Sequence, residues 1–307
     1  MDHVMEWLLA GDVSLQYMTH RFLPGSDATT LSELQRRIPT EGFGAAFLSN
    51  QNANGHWGQY YYQPKWTSTH YTLTDLMNLF VPDTLKPCQD MVARMFNECM
   101  TADGGLNLAK SALPSDICID GMILNYATYF CKNEPRLARL VDHLLSGQRT
   151  DGGFSWDINA QAGDPHTTIC VLEGLSQFRI ACSHRLPAIG VAEDRAVEFL
   201  LLRRLLMDSD DKRYAKLSYP YRYRYDLLRM LEYFARYDVP FDGRMLPAIK
   251  WLQGKRRGDG LWHLENQHKG HVHFTMEETG MPSRFMTSKA MYVLKHYRND
   301  ICGISPV

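Results

Sequence analysis

Gln51-Asn-Ala-Asn-Gly55-His-Trp57 and Gln148-Arg-Thr-Asp-Gly152-Gly-Phe154 share one form, Gln-x-x-x-Gly-x-aromatic. Met100-Thr-Ala-Asp-Gly104-Gly-Leu106 and Arg256-Arg-Gly-Asp-Gly260-Leu-Trp262 keep the Gly and the apolar residue without the Gln. The apolar positions 57, 106, 154 and 262 are separated by 49, 48 and 108 residues, the last being twice 54, so a degenerate copy is expected near residue 206. A period of this length marks a supersecondary unit that buries its apolar face only against its neighbours.

Each copy ends one amphipathic segment and leads through a polar loop into a second helix. Before the Gln148 copy, Leu137, Leu140, Val141, Leu144 and Leu145 recur at helical spacing and make one apolar stripe. After it, Asp164 stands as an N-cap with Pro165 at the first helical position. The run that follows, with Ile169, Val171, Leu172 and Leu175, is apolar nearly all round, which predicts a more buried helix. The same outer-then-inner pairing is expected with outer segments over 27–50, 83–100, 190–207 and 243–256 and inner helices starting near Lys65, Ser115, Pro220 and Pro282. A sixth pair falls around Met5–Leu9 and Val13–Phe22, on either side of Gly11-Asp12. No period-2 run is bounded by hairpin dipeptides. Six helical hairpins of this kind close into a ring with inner helices around an axis, an all-α (α/α)6 toroid formed by residues 1–307 as a single domain.

The composition of the 307-residue chain, 45% hydrophobic and 22% charged, is that of a folded globule. A net charge of −1 gives no field that would attract a polyanion, which argues against a nucleic-acid partner. No apolar run approaches the ~20 residues of a membrane span. The acidic start at Asp2 and Glu6 does not read as a secretion signal. Seven widely spaced cysteines without a Cys-x-x-Cys fit a reduced, cytoplasmic protein.

The Gln-x-x-x-Gly-x-aromatic copies and Asp-Gly-Gly turns resemble the repeats of the terpene cyclase and protein prenyltransferase superfamily, whose fold is the (α/α)6 toroid. More narrowly, Trp7-Leu-Leu-Ala-Gly-Asp12, Pro64-Lys-Trp-Thr-Ser-Thr69, His166-Thr-Thr-Ile-Cys-Val-Leu-Glu-Gly174 and Met281-Pro-Ser-Arg284 resemble a bacterial single-barrel squalene-cyclase-like group. The resemblance implies an apolar or isoprenoid-type small molecule in a central cavity. In squalene-hopene-type cyclases the proton donor is the middle Asp of Asp-x-Asp-Asp-Thr at an inner-helix start. Asp164-Pro165-His166-Thr167-Thr168 matches that register with His in the acid's place. An imidazolium with a pKa near ~6.5 is too weak an acid for an isolated alkene, yet it suits proton transfer at a more acidic carbon or a hydroxyl. The literal Asp208-Ser209-Asp210-Asp211 follows an outer helix and runs into Lys212-Arg213, so it reads as a solvated turn.

In a toroid the inner-helix starts converge on one mouth, where free N–H groups favour anions. The expected catalytic set there is His166 as acid or base, oriented by Asp164, with Cys118 and Asp116 nearby. The expected substrate-binding set is Trp66, Tyr223, Tyr225, His273, Glu277 and Arg284, the last clamping an anionic group with its fork. Tyrosines two apart on one helix cannot both face the cavity, which sets Tyr223 against Tyr225. The late loop from Trp262 to Pro282, with His271, His273, Glu277 and Glu278, is long enough to act as a lid. No cofactor is predicted. Zinc, which protein prenyltransferases hold with Asp, Cys and His, is the one metal considered, with Cys118, His166 and His273 as its ligands. Two other readings stay open: a carbohydrate-active toroid using paired carboxylates and aromatic platforms, and a non-catalytic ligand-binding toroid.

Overall fold

The computed structural model describes residues 3–23, 25–109, 114–182 and 187–301. Cys302 and the first two residues, which enter the sequence reading, lie outside them. Among the described residues the regular structure is helical, with isolated bridges but no strand.

The outer helices are α1 (His3–Leu9), α3 (Ala28–Arg37), α4 (Gly42–Ser49), α6 (Lys86–Cys99), α8 (Leu137–Ser146), α10 (Pro187–Leu202) and α12 (Leu246–Gly254). The inner helices are α2 (Val13–Phe22), α5 (Thr69–Asn78), α7 (Ile117–Cys131), α9 (Pro165–Ala181), α11 (Leu227–Arg236) and α13 (Arg284–His296), followed by the short α14 (Arg298–Ile301). Outer helices bury one stripe: on α6 it is Cys88, Met91, Val92, Met95, Phe96 and Cys99. Inner helices are buried nearly all round, and on α7 every residue from Ile117 to Leu124 is covered. This is the difference between a helix with one apolar neighbour layer and a helix packed on all sides.

The inner helices form a closed ring, which can be followed contact by contact. Tyr17 of α2 packs on Phe80, just past α5, at 5.3 Å between ring centres. His70 of α5 meets the Tyr126 hydroxyl of α7 at 3.2 Å. Ser176 of α9 bonds Tyr233 of α11 at 2.8 Å. Tyr292 of α13 donates to the Ala235 carbonyl of α11, and Phe22 of α2 lies 5.0 Å from Tyr292, which closes the circle. Between α7 and α9 the backbones touch. A Cβ on Gly174 would stand 2.4 Å from the Gly121 carbonyl oxygen, and one on Gly121 would stand 2.7 Å from the Val171 nitrogen. Only residues without a side chain permit that crossing.

The recurring sequence copies have one local job. Gly55, Gly104, Gly152 and Gly260 all take positive φ, between +81° and +101°, where L side chains are strained. The turn they make presents the next-but-one backbone N–H to an inner helix. Trp57, Phe154 and Trp262 donate to the hydroxyls of Thr69, Thr168 and Thr287 at 3.0–3.1 Å, and Leu106 donates to Asp120 at 2.9 Å. The Trp57 and Trp262 indoles each donate to an outer-helix carbonyl, Phe47 and Leu252, at 2.8 Å. Gln51 and Gln148 brace the turn by donating to the carbonyls of Gly55 and Gly152. Near residue 206 no Gly is available, and Arg204, Leu205 and Leu206 all take positive φ, with Leu205 fully buried.

Some boundaries differ from those read off the sequence. The first outer segment, expected over 27–50, breaks after Ile38 into α3 and α4. Gly42 turns the chain at φ +58°, and the Asp12 carboxylate accepts the Phe43 N–H at 2.8 Å. The inner helix expected from Pro220 starts only at Leu227, because residues 219–226 are non-helical until Asp226 caps the helix by accepting from Arg229 N–H.

Candidate functional site

Five inner helices begin with a side-chain cap: Asp12, Asp116, Asp164, Asp226 and Ser283 each accept a backbone N–H of the first turn. The N–H groups expected to attract an anion are thus partly satisfied by the chain's own carboxylates. The mouth is also covered. The 262–282 segment pairs with residues 217–219 through Asn266 N–H to the Leu217 carbonyl, 3.1 Å. It is pinned where the Trp66 indole donates to the Lys269 carbonyl at 2.7 Å and where Phe274 lies 4.6 Å from Phe47.

Beneath this cover lies a cavity of about 210 Å³, walled by Phe47, Pro220, Val272, Phe274 and Met276 and reached by Arg222, His268 and His273. Arg222 is 3% exposed. It donates to the Trp66 carbonyl at 3.2 Å and to Asp75 at 2.9 Å, while its Nε has no partner. Asp75 is buried with one oxygen unpartnered; burial lifts its pKa to about 6 against the pull of Arg222. His268 lies 4.5 Å from Trp66 with Nδ1 unpartnered, and burial, reinforced by Arg222, Arg224, Lys65 and Arg229, holds its pKa near 3. His273 shares a hydrogen bond with Thr72 at 3.0 Å, and burial holds it near 4. Both imidazoles are neutral at neutral pH and offer N–H or lone pair, not charge.

Below the cavity the axis is lined with charge. Arg229 grips Glu173 with two bonds of 2.7 and 2.8 Å, and Lys289 bonds both oxygens of Glu232 at 2.7 Å. Arg229 also donates to the carbonyls of Arg222 and Arg224, fixing the 219–226 segment that carries Arg222. The Tyr221 ring sits 4.5 Å from the Lys289 ammonium, its hydroxyl buried and unpartnered. Asp75, Glu173, Arg229, Glu232 and Lys289 were missed from sequence. The signal present there was charges, Asp75, Glu173 and Arg229, set beside apolar neighbours such as Leu76, Leu172 and Met230 on the inner helices.

The residues singled out from sequence divide into two sets. His273 lines the cavity, and Trp66 and Tyr223 pack against its His268, 4.5 and 5.8 Å between ring centres. The Trp66 and Tyr223 rings are stacked, 6.2 Å apart at 12°, with the Lys65 ammonium 4.9 and 4.8 Å from them. The others are committed elsewhere. His166 Nδ1 accepts the Tyr225 N–H at 2.8 Å, so its proton is on Nε2, and burial lowers its pKa to about 4. It is neutral at neutral pH and ties α9 to the 219–226 segment. Asp164 does not orient it, since its two oxygens accept the Thr167 N–H and hydroxyl at 2.9 and 2.7 Å. Asp116 accepts the Cys118 N–H at 2.8 Å, and the buried Cys118 thiol, pressed on Cys170, is pushed well above its ordinary pKa. Tyr225 turns to the opposite side from Tyr223 and donates to the Leu205 carbonyl at 2.9 Å. Glu277 caps α13, accepting from Arg284 N–H at 2.7 Å and from Phe285 N–H and the Ser283 hydroxyl. Arg284 reaches outward to α1, donating to the Trp7 carbonyl at 3.1 Å with its guanidinium 4.4 Å from the Trp7 ring. Asp211 is held by Arg213 and lowered to about 2, and Asp208 by Arg204, as befits a solvated turn.

Among the described residues no three His, Cys, Asp or Glu side chains converge to hold a metal ion. Cys118, His166 and His273 point to Cys170, Tyr225 and Thr72 respectively, so they do not form a zinc ligand set. No described helix is long and apolar enough to cross a membrane.

No protein-family model and no curated protein matches the chain. In fold the chain is similar to type II terpene cyclase MstE from Scytonema. The apo structure shows 12% identity and a TM-score of 0.32, over 83% of this chain and 96% of that one. Two variant structures, one with the product merosterolic acid A and one with the substrate geranylgeranyl dihydroxybenzoate, each show 14% identity and a TM-score of 0.34, over 83% of this chain and 94% of theirs. The likeness is distant, and the ring rests on the contacts described above.

Proposed function

We propose that this protein is a small-molecule-binding toroid whose ligand joins a compact apolar body to one anionic group. The observation that carries the reading is the Arg222 guanidinium, buried but with Nε unpartnered, at a cavity whose lining joins the apolar Phe47, Val272, Phe274 and Met276 to the polar Gln267, His268, Lys269 and His273. A buried donor without a partner costs about 1–3 kcal/mol, which a bound carboxylate or phosphate oxygen would relieve. The cavity of about 210 Å³ exceeds the ~150 Å³ void that admits benzene and falls short of the ~300–1,000 Å³ of drug-sized pockets. A short branched or monocyclic acid or phosphate suits it, and a long polyene does not. Short isoprenoid acids and phosphates come first because of the sequence resemblance. The neutral imidazoles of His268 and His273 would orient such a ligand, and neither they nor His166 supplies the strong acid that alkene protonation needs. A reduced cytoplasmic setting goes with the absence of any disulfide among the six described cysteines.

Calorimetric titration with 3-methylcrotonate, geranate and dimethylallyl monophosphate tests this. At least one should bind 1:1, and Val272→Trp, which fills the cavity, should weaken it at least tenfold without lowering the melting temperature. Binding that ignores Val272→Trp would refute the site. Turnover of any of them that disappears in His166→Gln would refute the non-catalytic reading and restore acid–base chemistry.

A further inference from the structure

Apart from the cavity lined by residues 267–276, an open groove of about 610 Å³ runs between residues 212–216, helix α12 and the two edges of the late loop at 263–265 and 279–280. Four cations line it, Lys212, Lys216, Lys255 and Arg257, against a single carboxylate, Glu265. That is a local excess of three positive charges in a chain whose net charge is −1. Glu265 is spent: both oxygens bond Lys255 at 2.8 Å, and one also accepts the Leu217 N–H. His263 is bonded to Asp259 and to the Gly280 carbonyl. Lys212 meets only the Ser209 carbonyl at 3.2 Å, and the side chains of Lys216 and Arg257 have no ion-pair partner among the described residues. The half-buried Trp251 ring forms part of the wall, with the Lys255 ammonium 5.4 Å from its centre.

We infer that this groove is a second ligand site, independent of the cavity over Arg222, and that it takes a soluble organic phosphate carrying a flat ring, such as a nucleoside diphosphate. Lys212, Lys216 and Arg257, which have no counter-charge among the described residues, repel one another, and the arrangement gains when a polyanion fills it. Arg257 presents a fork suited to phosphate oxygens, and Lys212 and Lys216 add point charges beside it. Trp251 gives a ring face on which a planar group can stack. The groove volume lies within the ~300–1,000 Å³ range of small-molecule sites.

The test is calorimetric titration of the full chain at low salt with ADP and with inorganic pyrophosphate, alongside sedimentation with phosphatidylinositol-phosphate vesicles. The expected result is saturable 1:1 binding of ADP, about tenfold tighter than pyrophosphate because of stacking. Lys216→Ala/Arg257→Ala, two exposed positions, should weaken both at least tenfold at unchanged melting temperature. Trp251→Leu should bring ADP down to the pyrophosphate level. No saturable binding of ADP, binding indifferent to Lys216→Ala/Arg257→Ala, or capture by the vesicles without ADP binding would each overturn the inference.

Discussion

His70 should make this fold lose stability on mild acidification, by an amount that can be worked out. It lies fully buried on α5 against the rings of Tyr62, Tyr71 and Tyr126, with Nδ1 3.2 Å from the Tyr126 hydroxyl and Nε2 unpartnered. Burial, helped by the Arg222 charge, lowers its pKa to about 3. The unfolded chain titrates this side chain near ~6.5, so below that pH the unfolded state takes up a proton that the folded state refuses. The depressed folded value means that His70's contribution is fully present above ~6.5 and is lost as pH falls towards 3. Between pH 7 and pH 5 the loss integrates to about 2 kcal/mol. Urea unfolding followed by circular dichroism at both pH values gives the difference for the wild type. His70→Phe removes the titrating group, so its stability should vary between the two pH values by about 2 kcal/mol less, whatever its absolute stability. An identical pH dependence in both proteins would refute the reasoning.

Asp75→Ala should destabilise the fold by about 3–5 kcal/mol by leaving Arg222 buried and unpaired, whereas Asp75→Leu/Arg222→Met should recover much of that loss in denaturant titrations. Gly174→Ala places a methyl 2.4 Å from the Gly121 carbonyl at a backbone crossing, and a loss of about 1–3 kcal/mol or more is expected from thermal melts. Arg284→Ala should cost about 1 kcal/mol of stability through the lost contact with Trp7, with ligand affinity at the cavity unchanged by calorimetry.

The resemblance put the acid's position of a cyclase motif at His166, and the position is indeed the first turn of an inner helix. What the side chain does there depends on Tyr225, 59 residues later, whose N–H it accepts. Arg284 shows the same limit over a longer reach. Its place at the start of α13 is legible, but its partner, Trp7, comes from the other end of the chain. Trp66 and Tyr223 both stand just ahead of inner helices, α5 and α11, a place that local sequence makes legible.

By itself the sequence determined what local geometry decides. Glycine recurs where the backbone must take positive φ, at 55, 104, 152 and 260, and the stripes on α6 and α8 follow from helical period alone. Those features are encoded within a few residues, where steric and solvation preferences act directly. Only the tertiary structure decided the chemistry of the interior. Asp75 meets Arg222 across 147 residues, and Glu173 meets Arg229 across 56. The late loop reaches back 203 residues to accept from Trp66. A charge is free, paired or orphaned according to what closure of the ring sets opposite it, and the energy of a buried ion depends on that partner rather than on its neighbours in sequence.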